Sequence, residues 1–371
     1  MSSSDVRVPF NDLTRQARNT WARCTAQWAE TVSSGRVILG AAVAKFEADF
    51  ALYLGGGQVV GVGNGTDALE LALRAVGVST GSFVITAANA GFYATTAIFA
   101  AKATPVYVDV AESSVTPDAA SIDAALSSGG ADAVVITHLF GRLADDIEAI
   151  ADVCQAHNVP LVEDCSQSHG ARLGDVLSGA FGDAAAFSFY PTKNLGALGD
   201  AGALFTRSAS VGSKARALRQ YGWGVKYVVD ELGGRNSRLD EVQAIVLSES
   251  LPALDVRNET RRRIVETYQA AAPHLDFLSP VPDREQWVGH LCVIRVDDRS
   301  SVQDFLAERG IATEVHFPVP DHRQPAMRQF ALPGLPRTEH LAKTVLSLPC
   351  FPDMTPAEID RVADVIATLP L

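Results

Sequence analysis

The stretch that decides the fold is Ala184-Ala-Ala-Phe-Ser-Phe-Tyr-Pro-Thr-Lys193-Asn-Leu-Gly-Ala-Leu-Gly-Asp200. A short apolar run of strand type leads into a loop rich in glycine and small residues, and this loop carries a lysine, Lys193. A second apolar strand, Val159-Pro-Leu-Val-Glu-Asp164, ends in a carboxylate. A lysine and an aspartate placed in this way could serve a cofactor that needs a Schiff base and a partner for a pyridinium nitrogen. That cofactor is pyridoxal phosphate (PLP).

Each of these residues has an ordinary interpretation beside the catalytic one. A lysine near glycines is usually a solvated surface residue, and it forms a Schiff base only if burial or nearby cations lower its pKa. An aspartate after a strand is commonly a helix cap or a metal ligand, whereas here Asp164 could keep the pyridine nitrogen protonated. Strand alternation directs Glu163 to the opposite face. Gln167 could hydrogen-bond the ring hydroxyl.

A candidate phosphate site lies earlier in the chain, at Asn64-Gly-Thr-Asp67, between a short strand and a helix. The first free N–H groups of a helix point at an anion, with the helix dipole behind them. Ser188 could donate a further hydrogen bond to the phosphate. The ordinary alternative is a helix N-cap without a ligand.

The composition excludes several classes of function. With 371 residues the chain has room for two domains, and its net charge of −12 argues against general binding to nucleic acid or an anionic membrane. Five scattered cysteines without a CxxC pair predict neither a zinc site nor a disulfide framework, and the histidines have no metal-ligand spacing. No signal peptide and no apolar run of membrane-spanning length is visible, so we expect a cytoplasmic protein.

The order of predicted elements indicates an α/β fold. Residues 13–54 are predicted to be mostly helical, and apolar strands then alternate with helices, which is typical of a largely parallel sheet covered on both faces. Residues 221–236 are predicted to be irregular, and a long helical segment follows them. We expect a large domain over residues 1–250 and a smaller α+β domain over residues 251–371.

Taken together, these segments resemble the DegT-type sugar aminotransferases, PLP enzymes of the aspartate-aminotransferase fold (fold type I). The resemblance runs nearly end to end. The matching segments are Gly63-Asn-Gly-Thr-Asp-Ala-Leu69, His138-Leu-Phe-Gly141, residues 163–170, Ser188-Phe-Tyr-Pro-Thr-Lys-Asn-Leu195, Gly199-Asp-Ala-Gly202, Asn236-Ser-Arg-Leu-Asp-Glu-Val-Gln-Ala244, His316-Phe-Pro and Leu346-Ser-Leu-Pro349.

The resemblance implies a role for each matching position. Lys193 would form the internal aldimine and shuttle the proton, and Asp164 would pair with the pyridine nitrogen. The cofactor would also contact Gly65, Thr66 and Asp67 through their backbone, and the side chains of Gln167 and Ser188. Phe92, preferred to Tyr93, would stack on the ring, although this segment carries one residue more than the common family form. Asn236 would arrive from a second subunit, which implies a homodimer.

The implied reaction is a transamination that passes through pyridoxamine phosphate (PMP), with L-glutamate as amino donor. The acceptor would be a keto group, at C3, of a dTDP-linked 6-deoxyhexose. Lys226 would hold the diphosphate, while Tyr190, His316 and Phe317 would line the hexose. The alternatives are a 4-keto aminotransferase, a PLP-binding regulatory protein without catalysis, and a nicotinamide-dependent oxidoreductase; the absence of a G-x-G-x-x-G motif counts against the last.

Overall fold

The computed structural model describes residues 7–112, 114–278, 283–330 and 332–369. The helices are α1 Leu13–Ser34, α2 Ala41–Tyr53, α3 Gly65–Ala75, α4 Tyr93–Ala100, α5 Ala119–Gly129, α6 Ile147–Ala156, α7 Ala209–Leu218, α8 Glu241–Ser250, α9 Leu254–Ala271, α10 Arg299–Glu308, α11 Pro336–Thr344 and α12 Pro356–Ile366. The strands are β1 Gln58–Val62, β2 Phe83–Ala87, β3 Thr104–Val108, β4 Ala133–Thr137, β5 Leu161–Asp164, β6 Arg172–Leu173, β7 Val176–Leu177, β8 Ala184–Ser188, β9 Gly202–Thr206, β10 Trp223–Val225, β11 Val228–Val229, β12 Asp276–Phe277, β13 Cys292–Arg295 and β14 Val345–Leu348.

The central sheet has seven strands in the order β1-β9-β8-β5-β4-β2-β3. Strand β9 runs antiparallel to both of its neighbours, and the other pairs are parallel. The predicted α/β class with a mostly parallel sheet is therefore confirmed. Strands β1, β5 and β8 all run in one direction, so their carboxyl ends lie at one edge of the sheet, where ligands commonly bind in such folds.

Helices cover both faces of this sheet, because its strands are apolar on both sides. In β8, Ala184 and Ala186 pack in the cluster formed with α3, α4 and α7, whereas Ala185 and Phe187 pack in the opposite cluster with α2 and α8. This alternation has the period of two that a strand imposes on its side chains. Each residue after a strand end is thus directed to a defined face.

A separate core lies in the C-terminal part of the chain. Strands β12, β13 and β14 form an antiparallel sheet, and the apolar side chains around it come mainly from α9, α10 and α12. Val8 also joins this core through a parallel bridge to Ile311, so the segment that precedes α1 packs against the C-terminal part of the chain. The division into residues 1–250 and 251–371 stays a prediction.

One local prediction was wrong. Residues 221–236 are not wholly irregular, because β10 and β11 form a short hairpin within them. Its strands have three and two residues, too few to show an alternating pattern in the sequence. Within the described ranges, no helix has the length and apolarity required to cross a membrane.

Candidate active site

A cavity of about 850 Å³ opens beyond the carboxyl ends of β1, β5 and β8. It is lined by residues from both cores and from the N-terminal segment. From the N-terminal half these are Phe10, Asn11, Asn64, Gly65, Thr66, Asp67, Leu69, Tyr93, Asp164, Ser166, Gln167, Ser188, Tyr190, Thr192, Lys193 and Asp200. From the C-terminal half they are Arg261, His290, Leu291, Glu314, His316, Phe317, Leu348 and Cys350.

Lys193 is held in this cavity by a tightly curled loop. Its backbone N–H donates to the carbonyl of Tyr190 at 2.8 Å. A Cβ at Gly196 would lie 2.5 Å from the carbonyl oxygen of Pro191, so only glycine permits this curl. Burial lowers the pKa of Lys193 to about 8, although the Asp164 carboxylate acts to raise it. A substantial fraction of the amine is therefore neutral near physiological pH.

The two carboxylates that end β5 have opposite surroundings. Glu163 is fully buried, and its oxygens accept hydrogen bonds from His138 and from the backbone N–H groups of Gly179, Phe181 and Gly182. Asp164 lines the cavity on the other face. From the described residues, its carboxylate accepts two hydrogen bonds, from the Ser166 N–H at 3.1 Å and from the Thr137 hydroxyl at 3.3 Å. Asp164 can thus accept further hydrogen bonds from a ligand in the cavity. Glu163 instead ties β5 to His138 and to the backbone of residues 179–182.

Gln167 also lines the cavity, in an orientation fixed by one hydrogen bond. Its Oε1 accepts the backbone N–H of Phe140 at 2.6 Å. Because the carbonyl side of the amide is occupied, the NH₂ group is left to donate into the cavity. This suits a contact with an oxygen on a ring placed between Gln167 and Asp164.

The predicted phosphate site is assembled from two distant segments. A Cβ at Gly65 would lie 2.5 Å from the Cβ of Ser188, so the first turn of α3 packs directly against the end of β8. The backbone N–H of Asp67 donates to the Asn64 side chain at 2.8 Å, and its predicted contact with a phosphate stays a prediction. The helix dipole, the Ser188 hydroxyl and the N–H groups of Gly65 and Thr66 remain for an anion.

The predicted aromatic position, Phe92 in preference to Tyr93, stays a prediction. Tyr93 lines the cavity and Phe92 does not. Phe92 has φ 70° and directly precedes α4, and its N–H donates to the buried carboxylate of Asp321 at 2.9 Å. That left-handed turn directs the next side chain, that of Tyr93, to the cavity. Tyr93 meets the ring of Phe317 edge-on, with centroids 5.9 Å apart.

The predicted substrate residues divide into two groups. Tyr190, His316 and Phe317 line the cavity, and His316 Nδ1 lies 3.0 Å from the Ser347 hydroxyl. Burial lowers the pKa of His316 to about 4. Lys226 and Asn236, by contrast, are exposed and do not line the cavity of their own chain.

Sequence reasoning missed a group of residues that supports the lysine loop. The amide nitrogen of Asn194 donates to Asn258 Oδ1 at 2.7 Å and to the carbonyl of Val288 at 2.9 Å. His290 Nδ1 lies 2.9 Å from Asn194 Oδ1, and Arg261 donates to the His290 carbonyl. The only signal in the sequence was that Asn194 follows Lys193; its partners lie far along the chain.

One cluster of possible metal ligands occurs among the described residues, namely His138, Glu163 and Cys165. The Ala144 N–H donates to His138 Nδ1, so the proton on Nε2 is directed at Glu163. Burial raises the pKa of Cys165 well above its usual range. His138 and Glu163 already satisfy each other, and the cluster supports no metal proposal.

Comparison with known proteins agrees with this geometry. Residues 21–367 match the DegT/DnrJ/EryC1/StrS aminotransferase family. The chain is 39% identical to a dTDP-3-amino-3,4,6-trideoxy-alpha-D-glucose transaminase of Streptomyces venezuelae, across 97% of this chain and 95% of that one. It is 38% identical to a pleiotropic regulatory protein of Geobacillus stearothermophilus, across 98% of both chains.

A solved structure gives the same result. The crystal structure of S. venezuelae DesV in complex with a ketimine intermediate superimposes with a TM-score of 0.92, at 38% identity, covering 97% of this chain and 98% of that one. This chain belongs to the DegT/DnrJ/EryC1/StrS aminotransferase family.

Proposed function

We propose that this protein transfers an amino group from L-glutamate to the C3 keto group of a dTDP-linked keto-6-deoxyhexose, with PLP as its cofactor. The observation that carries the proposal is that Lys193, Asp164 and the Gly65–Ser188 contact face one cavity. PLP, when bound, accepts an amino group from one substrate and passes it to another, using its ring as an electron sink.

The residues of this chain fit that cofactor. The N-terminus of α3 and the Ser188 hydroxyl suit its phosphate, and the close packing of Gly65 on Ser188 leaves no room for a larger residue. The Asp164 carboxylate suits a protonated pyridine nitrogen, and the Gln167 NH₂ group suits the ring oxygen. An aromatic side chain of one segment, that of Phe92 as predicted or that of Tyr93 on the cavity wall, packs on the ring.

Lys193 supplies the reactive amine. With its pKa at about 8, a substantial fraction is neutral near pH 7.5 and able to bond to the cofactor aldehyde. Once displaced by an amino substrate, the same amine is placed to take up and return a proton. Asp164, which stays beside it, favours the protonated form and so opposes the effect of burial.

The substrate assignment rests on the S. venezuelae relative, whose name specifies a dTDP-3-amino sugar. The cavity volume suits a hexose beside a cofactor, and Tyr190, His316 and Phe317 stand on its wall. A 4-keto sugar is the alternative acceptor. A second candidate function is PLP binding without turnover, because one relative is named as a regulatory protein.

We also infer that two copies of the chain form each active site. Lys226 and Asn236 do not reach the cavity of their own chain, and the hairpin that bears Lys226 exposes large apolar side chains. Tyr227 is 75% exposed and the nearby Leu232 is 90% exposed. Packing against a second copy would bury this surface and bring Lys226 to the partner's cavity. The cytoplasmic location stays a prediction.

The deciding experiment incubates the purified protein with PLP, L-glutamate and either the 3-keto or the 4-keto dTDP-6-deoxyhexose. NMR of the product then locates the new amine. We expect amination at C3. Amination at C4 would show that the acceptor is the 4-keto sugar and not the 3-keto sugar. PLP binding without turnover of either sugar would favour the regulatory function.

A further inference from the structure

Arg261 is a buried cation that forms no ion pair with a carboxylate among the residues that the structure describes. It lies on α9, lines the cavity and is only 5% exposed. Its Nη1 donates to two backbone carbonyls, that of Cys350 at 2.5 Å and that of His290 at 3.4 Å. Its Nε has no hydrogen-bond partner among the described residues. The guanidinium is therefore fixed in place while its charge is left uncompensated.

The absence of a counterion at this position is costly. Burial lowers the pKa of Arg261 to about 10, so the group is still charged at neutral pH. A buried charge without a partner is strongly unfavourable in a protein interior. Asp353 acts on Arg261 electrostatically, but its carboxylate is bonded to Arg257 at 3.1 Å. The remaining compensation can come from an anion that enters the cavity.

His290 supplies a complementary acceptor beside this cation. Because both hydrogens of the Asn194 amide are donated elsewhere, Asn194 Oδ1 accepts and His290 Nδ1 carries the proton. Burial holds the pKa of His290 well below its usual range, so the ring is neutral. Its Nε2 is then an acceptor that receives no hydrogen bond from the described residues, on a side chain that lines the cavity.

A fixed guanidinium and a neutral imidazole acceptor match the carboxylate and the amino group of an amino acid. We propose that Arg261 binds a carboxylate of the amino donor, while His290 Nε2 accepts a hydrogen bond from the donor's amino group. This inference rests on the proposed aminotransferase function. It assigns to the donor a subsite separate from the residues proposed for the nucleotide sugar.

The test measures the two half-reactions separately, by the absorbance of the bound cofactor. The PLP form is mixed with L-glutamate, and in a second series with the dTDP-amino sugar product. We expect Arg261→Met to lower kcat/KM for L-glutamate by about 10- to 100-fold, the size of a lost charge-assisted hydrogen bond. The same variant should change kcat/KM for the amino sugar by less than about 3-fold.

Two further variants control the experiment. Arg263→Met removes an exposed arginine of the same helix and should leave both half-reactions at the wild-type rate. Arg261→Lys keeps the charge but not the planar fork, so it should show a smaller loss confined to L-glutamate. If Arg261→Met does not fold, as judged by thermal unfolding, this lysine variant decides the matter.

The outcomes are distinguishable. Equal losses in both half-reactions of the folded Arg261 variants would show a structural role and overturn the inference. A loss confined to the amino sugar would assign the anion to the sugar nucleotide and overturn it as well. If the wild-type protein accepts no amino group from L-glutamate or the amino sugar, the proposed function itself fails.

Discussion

The loop around Lys193 and the hairpin around Lys226 place a lysine in opposite circumstances. Asn194, next to Lys193, is buried and makes hydrogen bonds to three residues, and Leu195 is buried as well. Lys226 stands on an exposed hairpin, where its ammonium lies 5.0 Å from the centre of the Tyr227 ring. One lysine is desolvated and fixed, and the other is solvated.

The base of the hairpin segment is nevertheless anchored. Arg235 pairs with Asp67 at 3.0 Å and also with Glu70, both on α3, the helix that contributes to the phosphate site. The chain therefore fixes its chemical groups internally and leaves the hairpin tip exposed. This difference fits the proposal that a second copy of the chain takes part in substrate recognition, while Lys193 and Asp164 lie in one cavity of a single chain.

The strongest test removes the fixed lysine. Lys193→Ala should lower turnover by on the order of 10³- to 10⁴-fold, because both the covalent link to PLP and the proton carrier are lost. Borohydride reduction of the PLP-loaded protein should then leave no label on the chain. Lys343→Ala, at an exposed position, is the matched control. Label retained by the Lys193 variant would place the reactive amine elsewhere.

The next test replaces the carboxylate that faces Lys193. Asp164→Asn should lower turnover by on the order of 10²- to 10³-fold, since an amide cannot hold the ring nitrogen in its protonated state. The Asp164 carboxylate raises the pKa of Lys193, so its loss should also move that pKa downward. Turnover and the pH dependence of PLP capture measure the two effects independently. An unchanged rate would remove Asp164 from the mechanism.

The pH dependence of PLP capture by the wild-type protein tests whether Lys193 is desolvated. The neutral amine is the reactive form, so capture of PLP by the apo protein should rise with pH and level off above the Lys193 pKa of about 8. Below that pH the rate should fall about tenfold per pH unit, as the neutral fraction does. Stopped-flow absorbance measures this profile. A midpoint near 10.5, the ordinary value for a lysine, would show that Lys193 is solvated.

The phosphate site is tested through its close packing. In Gly65→Ala the added methyl group would lie 2.5 Å from Ser188 Cβ, which forces α3 and β8 apart. We expect the Kd for PLP to rise by about 10- to 100-fold, the range expected when one charge-assisted hydrogen bond is lost. Gly129→Ala is the control, because no atom lies within 4 Å of a Cβ at that position. Equal PLP affinity in the two variants would contradict the site.

The smallest expected effect concerns the hairpin. Lys226→Ala should raise KM for the sugar nucleotide by about tenfold, and by less at high salt, because an exposed charge is screened. Hybrids formed by mixing Lys193→Ala and Lys226→Ala chains should recover one site of wild-type affinity if Lys226 acts on the partner's cavity. Steady-state kinetics of the hybrids measures this. No recovery would place Lys226 in its own chain's site or outside recognition.

Much of the fold was predictable, because apolar strands ending in polar residues recur at regular intervals. Lys193, Asp164, Gln167 and Ser188 share one cavity because each lies at or just after the carboxyl end of β5 or β8. Nothing in the local sequence revealed that Arg261 approaches His290, since α9 and β13 meet only through tertiary packing.

Two positions are hard to assign from the sequence for local reasons. The choice between Phe92 and Tyr93 depends on the backbone turn at φ 70°, which no residue pattern reports. The Asp67 N–H, predicted to face a phosphate, also has the Asn64 cap as an acceptor, and the sequence does not show which acceptor it takes. Both assignments depend on how the backbone turns at a helix start.

Asp321 joins two walls of the cavity that are far apart in sequence. It accepts the Phe92 N–H and the Thr95 hydroxyl, and its own N–H donates to the Ala88 carbonyl at 2.7 Å. A Cβ at Gly91 would touch the Phe317 ring, so the two segments also fit tightly against each other. Anyone redesigning the enzyme for a different sugar will therefore need to exchange residues 88–95 and 316–321 together, as one interchangeable unit.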